Sequence, residues 1–394
     1  MEKGFFHSIK SYSSIFWISS VIVLLGYSWI TYLMLSGDIF SDFPAHLDIW
    51  EFYYERGKIP FPPLYYLTFF GLSFLFPVED NLKLGLLLLM AFSWLAKYSL
   101  TYRYLLPQIR TCLVFQWIPL GMLFIFPIYL LGWEGEYWLL GKMTPNLWHN
   151  GSTIYVFPFC FLLFQEVSRW FESQKVNLSR GLILTSLIVL IKPNYLFGLL
   201  PGMLLLFLFS NHVPKFRQRI LTYSGITIAL LVISKYLIFD MASEQSLFYN
   251  FRSSGAILFQ PFSVWLEYSE SLVLDLISSL VFLLGGVFLF RKVLFKDKEF
   301  QLAFAVFFFS LLVFFLFAES GPRYLDGNFY WQVPISLFLL YLVLVKIVLK
   351  EWCLKSSSEN ASLSKFILLI VLFGFHVLSG LLYLHSMVRT GNNL

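Results

Sequence analysis

Asp42 and His46 lie in the stretch SDFPAHLDIWEFYYERG, just beyond the first long apolar run of the chain. Spacing of four residues brings two side chains together on one face of a helix. A carboxylate there, partly desolvated by aromatic neighbours, suits removal of a proton from an attacking hydroxyl, or the holding of a divalent cation. Asp38 is a second carboxylate within reach of either role. The purely structural alternative is that Asp42 caps a helix over Phe43 to Arg56, with Pro44 in its first turn and Gly57 at its end.

Three further polar groups could share a site with that carboxylate. The segment WEGEYWLLGKMTPNLWHNGSTIY carries Glu134, Glu136, Lys142, Asn146, His149 and Asn150 among three tryptophans, the mixture that binds sugar hydroxyls and stacks on sugar rings. The same residues also suit an aromatic belt with loop capping. Lys192 stands beside Pro193 between two short apolar runs, where a point charge could bind a lipid-linked phosphate or snorkel to headgroups. In ESGPRYLDGNFYWQVP, Arg323 is placed to grip an anion, with Asn328 and Trp331 leading into the next run. Arg252 ranks below these as a phosphate ligand.

The elements that must position these residues are membrane helices. Of 394 residues 58% are hydrophobic and only 13% charged, against about 25% charged in soluble domains. Apolar runs at 15–35, 82–101, 113–131, 152–165, 181–191, 195–210, 220–239, 271–290, 300–318, 333–349 and 365–385 give about eleven spans in one all-α polytopic domain covering 1–394. The run from Pro62 to Pro77 is short and proline-bounded, so residues 36–81 read as a first outer loop with interfacial helices. With the N-terminus cytoplasmic, eighteen Lys and Arg fall inside and eight outside. Acidic and aromatic loop residues then collect on the outer face, where any chemistry belongs.

In order, an acidic residue after the first helix, an interfacial helix, PPLYYLTFFGLSFLF, a span ending in TYRYL and the lysine break SLIVLIKPNYLFGLLPGMLLLFLF resemble the GT-C superfamily of polyprenyl-phosphate-sugar glycosyltransferases. The likeness is nearest to lipid A aminoarabinose transferases and protein mannosyltransferases and covers about residues 15–210. It implies transfer of a sugar from a polyprenyl-phosphate carrier to a glycan or lipid acceptor at the outer face, with Asp42 in the catalytic role and Lys192 near the phosphate. The pattern departs from that family in having Asp with His four residues later where an acidic pair is usual, and no soluble C-terminal domain.

The chain has no P-loop, dinucleotide fingerprint, HExxH or GxSxG motif. Its basic residues are scattered between apolar runs, which excludes nucleic acid as a partner, and three cysteines without paired spacing indicate neither a disulfide framework nor a zinc site. Membrane lipids are the remaining expected partners, and a bacterial inner membrane the expected location. Two other classes stay open: a lipid-linked glycan flippase, in which buried Asp275 or His376 would matter most, and a polymerase or assembly subunit of surface polysaccharide.

Overall fold

A computed structural model describes residues 13–110, 112–129, 139–210, 212–237, 256–355 and 363–392. Helices dominate. The first is α1 (Ser14–Leu35), followed by α2 (Phe43–Tyr54) and α3 (Pro63–Ser73), then α4 (Asn81–Ile109) and the five-residue α5 (Ile118–Met122). Next come α6 (Gly151–Ser173), α7 (Leu178–Ile191), α8 (Tyr195–Leu208) and α9 (Pro214–Lys235). The second half holds α10 (Ser263–Tyr268), α11 (Leu272–Leu294), α12 (Lys298–Leu316), α13 (Gln332–Lys355) and α14 (Leu363–Thr390).

Eight of these, α1, α4, α6, α9, α11, α12, α13 and α14, are long and apolar enough to cross a membrane. The chain is thus a mostly helical integral membrane protein. Helix α13 lies at its centre, with 89% of its apolar window buried, against 28% for α9 at the periphery. Not everything is helical: β1 (Ile257–Phe259) pairs antiparallel with β2 (Phe317–Glu319), Leu258 opposite Ala318.

Three of the eleven expected runs are not long helices. Helices α7 and α8 have fourteen residues each, about 21 Å at 1.5 Å per residue and short of the roughly 30 Å hydrocarbon core. The 113–131 run, described as far as Tyr129 and interrupted by Pro119, Gly121 and Pro127, forms a 3₁₀ turn, α5 and an extended stretch. Non-helical backbone is tolerated inside an apolar bundle only when its polar groups find partners. Here Asn146 donates both amide hydrogens, to the carbonyls of Met122 and Ile125 at 3.0 and 2.9 Å. The Tyr27 hydroxyl donates to the Leu123 carbonyl at 3.1 Å, and the Ile128 amide donates to the Ser278 carbonyl at 2.9 Å. Helix α14 supplies the rest: the Phe126 amide donates to the His376 carbonyl, the Tyr129 amide to Ser379 Oγ, and Ser379 Oγ to the Pro127 carbonyl. Gly380 makes this approach possible, because a Cβ there would overlap the Phe124 carbonyl.

Helix α3 has eleven residues and packs against α4 and α7, too short to cross. Helix α2 ends at Tyr54, two residues before the expected Arg56. A correction concerns its start: Asp42 occupies the cap position, yet its side chain makes no capping hydrogen bond.

The 139–150 segment returns into the bundle, which overturns the expectation that Lys142 and Asn146 line an outer wall. Lys142 Nζ is 2.5 Å from Asp275 Oδ1, both side chains over nine-tenths buried, and Ser269 Oγ donates to the other Asp275 oxygen. Asn146 Oδ1 accepts from Lys97 Nζ at 2.7 Å. That ammonium also lies 4.1, 4.2 and 4.9 Å from the ring centroids of Phe157, Phe338 and Trp94. No carboxylate pairs with it among the described residues, so aromatic faces and one amide oxygen satisfy a cation away from water.

Lys142→Met leaves the Asp275 charge buried alone and is expected to lower stability by about 3–5 kcal/mol, whereas Lys142→Met combined with Asp275→Leu recovers most of that loss. Thermal unfolding of the purified variants in detergent measures both, and equal stability of the single and double variants would refute it.

Candidate functional site

Residues that the sequence scatters over 290 positions meet where α2 and α3 pack beside the N-terminus of α6, the α7–α8 break and the approach to α13. Gly151 shows how closely: a Cβ on it would overlap the Tyr65 hydroxyl and lie 2.8 Å from Phe43 Cε1. A glycine after Asn150 therefore lets the start of α6 meet the aromatic faces that carry Asp42 and His46. Asn150 Oδ1 caps α6, accepting from the Thr153 amide at 3.0 Å and Thr153 Oγ1 at 2.6 Å.

The same oxygen holds Lys192. Its Nζ donates to Asn150 Oδ1 at 2.8 Å and to Ser152 Oγ at 3.1 Å, and lies 5.0 Å from the centre of a Trp331 ring. Lys192 can reach this position because α7 ends in extended backbone at that residue, φ −165° and ψ 106°, with Pro193 next. Asn194, on the other side of the break, donates to the Asn328 carbonyl, and Asn328 Nδ2 donates to Glu319 Oε2 at 2.9 Å. Arg323 Nε lies 3.3 Å from the same Glu319 oxygen and 3.4 Å from Asp326 Oδ2.

Asp42 is half-buried, and its Oδ1 is shut off from solvent without a hydrogen-bond donor. The Tyr65 hydroxyl is buried without a partner as well. Burial pushes the Asp42 carboxyl well above the ordinary carboxylate range, and the Lys192 charge opposes that shift only in part. Burial likewise pulls the Lys192 ammonium down, Asp42 opposing and Arg323 adding to the shift. The two shifts bring the proton affinities of Asp42 and Lys192 towards one another, with no direct ion pair between them. Burial and the Lys192 charge lower His46 to about 3 and His149 to about 4, leaving both imidazoles uncharged. His46 Nδ1 is 2.9 Å from the Tyr66 hydroxyl, and the His149 ring meets Trp331 at 5.8 Å.

Asp42, His46, His149, Asn150, Lys192, Arg323, Asn328 and Trp331 therefore converge, directly or through one intermediary. Asp38 does not: it is exposed, accepts from Ser36 Oγ at 2.6 Å and sits beside the end of α14. Lys142 and Asn146 are spent on the bundle interior, and Glu136 and Arg252 lie outside the described residues. Ser152, Tyr65, Tyr66, Asn194 and Glu319 join the cluster without having been singled out from the sequence. Ser152 was legible in hindsight as the residue two after a helix cap; Glu319 needed the strand pairing to place it.

No family model, curated protein or solved structure matches the chain. Its chemistry must be argued from the cluster alone. A divalent cation does not fit well: no three His, Cys, Asp or Glu side chains converge among the described residues, and the carboxylate that would hold the ion faces an ammonium. The arrangement suits instead a base with raised proton affinity beside a lysine held only by neutral groups, with Arg323 behind it paired to Glu319 and Asp326.

A carboxyl with raised proton affinity in the folded state binds more protons folded than unfolded, so its contribution to stability falls as pH rises from the carboxylate range towards neutrality. Asp42→Asn removes that loss, and it also lowers the proton affinity of Lys192 further, which tilts the variant the same way. The stability of Asp42→Asn relative to the unmodified protein should therefore climb between about pH 4.5 and pH 7.5. Paired denaturation curves check this, and a difference that stays flat with pH would show an ordinary carboxylate.

Proposed function

We propose that the protein is a membrane glycosyltransferase that moves a sugar from a polyprenyl-phosphate carrier to a hydroxyl of a glycan or lipid acceptor, with the site on the outer face of a bacterial inner membrane. The observation that carries this reading is the unpartnered Asp42 oxygen, buried within electrostatic range of Lys192. The resemblance of residues 15–210 to GT-C transferases agrees with it.

In this reading Asp42 takes the proton of the acceptor hydroxyl as its oxygen attacks the anomeric carbon. The bond from that carbon to the phosphate oxygen breaks with its electron pair, and the polyprenyl phosphate leaves as an anion, its charge met by Lys192 and Arg323. Direct displacement inverts the anomeric centre. The neutral imidazoles of His46 and His149 and the Tyr65 hydroxyl are hydrogen-bonding partners for sugar hydroxyls. Trp331 steadies the lysine, because Lys192 lies close to its ring.

The topology proposed with this function has eleven crossings: eight full-length helices, the broken 113–131 segment, and α7 and α8, with the N-terminus cytoplasmic. The hydrogen bond from the Phe40 amide to the Gly391 carbonyl, 2.8 Å, supports an odd number, since it puts the ends of α1 and α14 on one side. A flippase finds less support: Asp275, the carboxylate it would use, is bound to Lys142 in the first turn of α11.

With the protein reconstituted in liposomes and supplied with a panel of radiolabelled polyprenyl-phosphate sugars, Asp42→Asn should lower kcat by about 10²–10⁴-fold, while Lys192→Met should chiefly raise KM for the donor. Unchanged transfer by Asp42→Asn would remove Asp42 from the mechanism, and no transfer by any form would defeat the proposed function. For the topology, exposed Cys353 should resist a membrane-impermeant maleimide in intact cells and react after permeabilisation; labelling in intact cells would reverse the orientation.

A further inference from the structure

The two-stranded ribbon and α10 are fastened together at the ends of two membrane-crossing helices. Strand β2 continues α12 without a break, Phe317 following Leu316, and α11 begins at Leu272, four residues past the end of α10. Backbone bonds close the unit: the Ser320 amide donates to the Ala256 carbonyl and the Gln260 amide to the Leu316 carbonyl, each at 2.9 Å. Trp265 ties α10 to the bundle, its Nε1 donating to the Gly141 carbonyl at 2.6 Å and its ring stacked on Phe315 at 4.6 Å. The Tyr268 hydroxyl donates to the Leu325 carbonyl at 2.7 Å, which joins α10 to the 3₁₀ turn Gly321–Asp326 that carries Arg323.

One edge of this unit is apolar and open. Ile257, Phe259, Phe262 and Leu266 are 54%, 66%, 42% and 56% exposed, and water does not favour such an edge. Ile257 and Phe259 share one face of β1, while Leu258, opposite buried Ala318, faces the other way. Phe262 holds the turn between β1 and α10 at φ +61°, where a glycine would be unstrained. Keeping a bulky apolar residue at a strained and exposed position implies that its surface is used. The edge also continues onto lipid-facing surface. Phe262 meets Phe315 at 5.3 Å, and Phe315 shares a stripe of α12 with Phe308 and Phe304, seven and eleven residues back and both exposed.

We propose that the ribbon and α10 are seated in the lipid interface, with Ile257, Phe259, Phe262 and Leu266 immersed at the boundary of headgroups and acyl chains. Continuity with the exposed stripe of α12 selects the bilayer as the occupant over a second protein. The order of residues along β2 matches the layers of that interface: Phe317 adjoins the spanning helix, and Glu319, two residues on, is bound to Arg323 and Asn328. The seat therefore holds Glu319 and Arg323 at headgroup depth. It follows from which helices cross the membrane and does not depend on the transfer reaction.

Fluorescence of a bimane label on single introduced cysteines tests this, with Cys112 and Cys353 replaced by serine and buried Cys160 left in place. The full chain is reconstituted in phosphatidylcholine liposomes that carry a nitroxide at position 5 or position 12 of the acyl chain. Phe259→Cys should lose more fluorescence to the 5-nitroxide than to the 12-nitroxide and little to iodide in the water, the pattern of a label about 5–10 Å into the interface. Phe308→Cys, about 12 Å along α12 from its end, should reverse the order of the nitroxides, and exposed Glu79→Cys should respond chiefly to iodide. Leu266→Cys on α10 should repeat the order of Phe259→Cys, and it serves in its place if that variant does not fold. Iodide quenching at the ribbon as strong as at Glu79→Cys would put the edge in water and overturn the seat. Shielding from iodide and from both nitroxides would mean that protein covers the edge, a second copy if the chain also runs as a dimer, and would overturn it equally.

Discussion

One amide side chain holds together the irregular half of this bundle. Asn146 donates its two hydrogens to the carbonyls of Met122 and Ile125 and presents its oxygen to Lys97. Because an unmet polar group in an apolar interior costs several kcal/mol, each of those three partners needs Asn146 as much as it needs them. With the 118–125 backbone and the Lys97 ammonium satisfied, the chain can run unwound through the bundle and return. That return brings Asn150 to the head of α6, where it caps the helix and fixes Lys192. The candidate site thus rests on a polar knot that touches no substrate.

Among the described residues, two couplings of lysine with aspartate lie away from bulk water, and they are put to opposite uses. Lys142 and Asp275 touch at 2.5 Å, and a serine satisfies the second carboxylate oxygen. Their charges are discharged on one another, and what remains is a fastener between the 139–150 segment and α11. Asp42 and Lys192 are instead kept apart, the lysine held by a neutral amide and a hydroxyl. Each feels the other through a poorly polarisable medium, but neither is quenched. In the proposed reaction, the acceptor hydroxyl and the donor phosphate would supply to each the partner that the protein withholds.

Much of the membrane character was legible in hydropathy: α1, α4, α6, α9 and α11 to α14 coincide with expected runs, because a long apolar segment in lipid has few choices other than a helix. The 113–131 run deceived for the converse reason. Hydropathy measures how apolar a segment is, and a segment buried in protein can be as apolar as a helix while its backbone hydrogen bonds come from Asn146, His376 and Ser379. The site divided along similar lines. Asp42, His46 and Lys192 stood out because each interrupts an apolar context at an element boundary. Lys142 and Asn146 looked the same locally, and only the partners on α4 and α11 distinguish a buried fastener from a site residue.

The contact of α14 with residues 124–129 also bears on how the protein is made. The amide and carbonyl of Phe126, the carbonyl of Pro127 and the amide of Tyr129 find their partners on His376 and Ser379, about 250 residues further along the chain. A ribosome finishes the unwound segment long before it begins α14. During that interval the segment cannot stay in lipid with its backbone bare, so it must wait in a helical form, in the insertion machinery or at the interface. The native partners of this segment are present only once the last helix has arrived. The bundle is therefore complete only after its final helix docks.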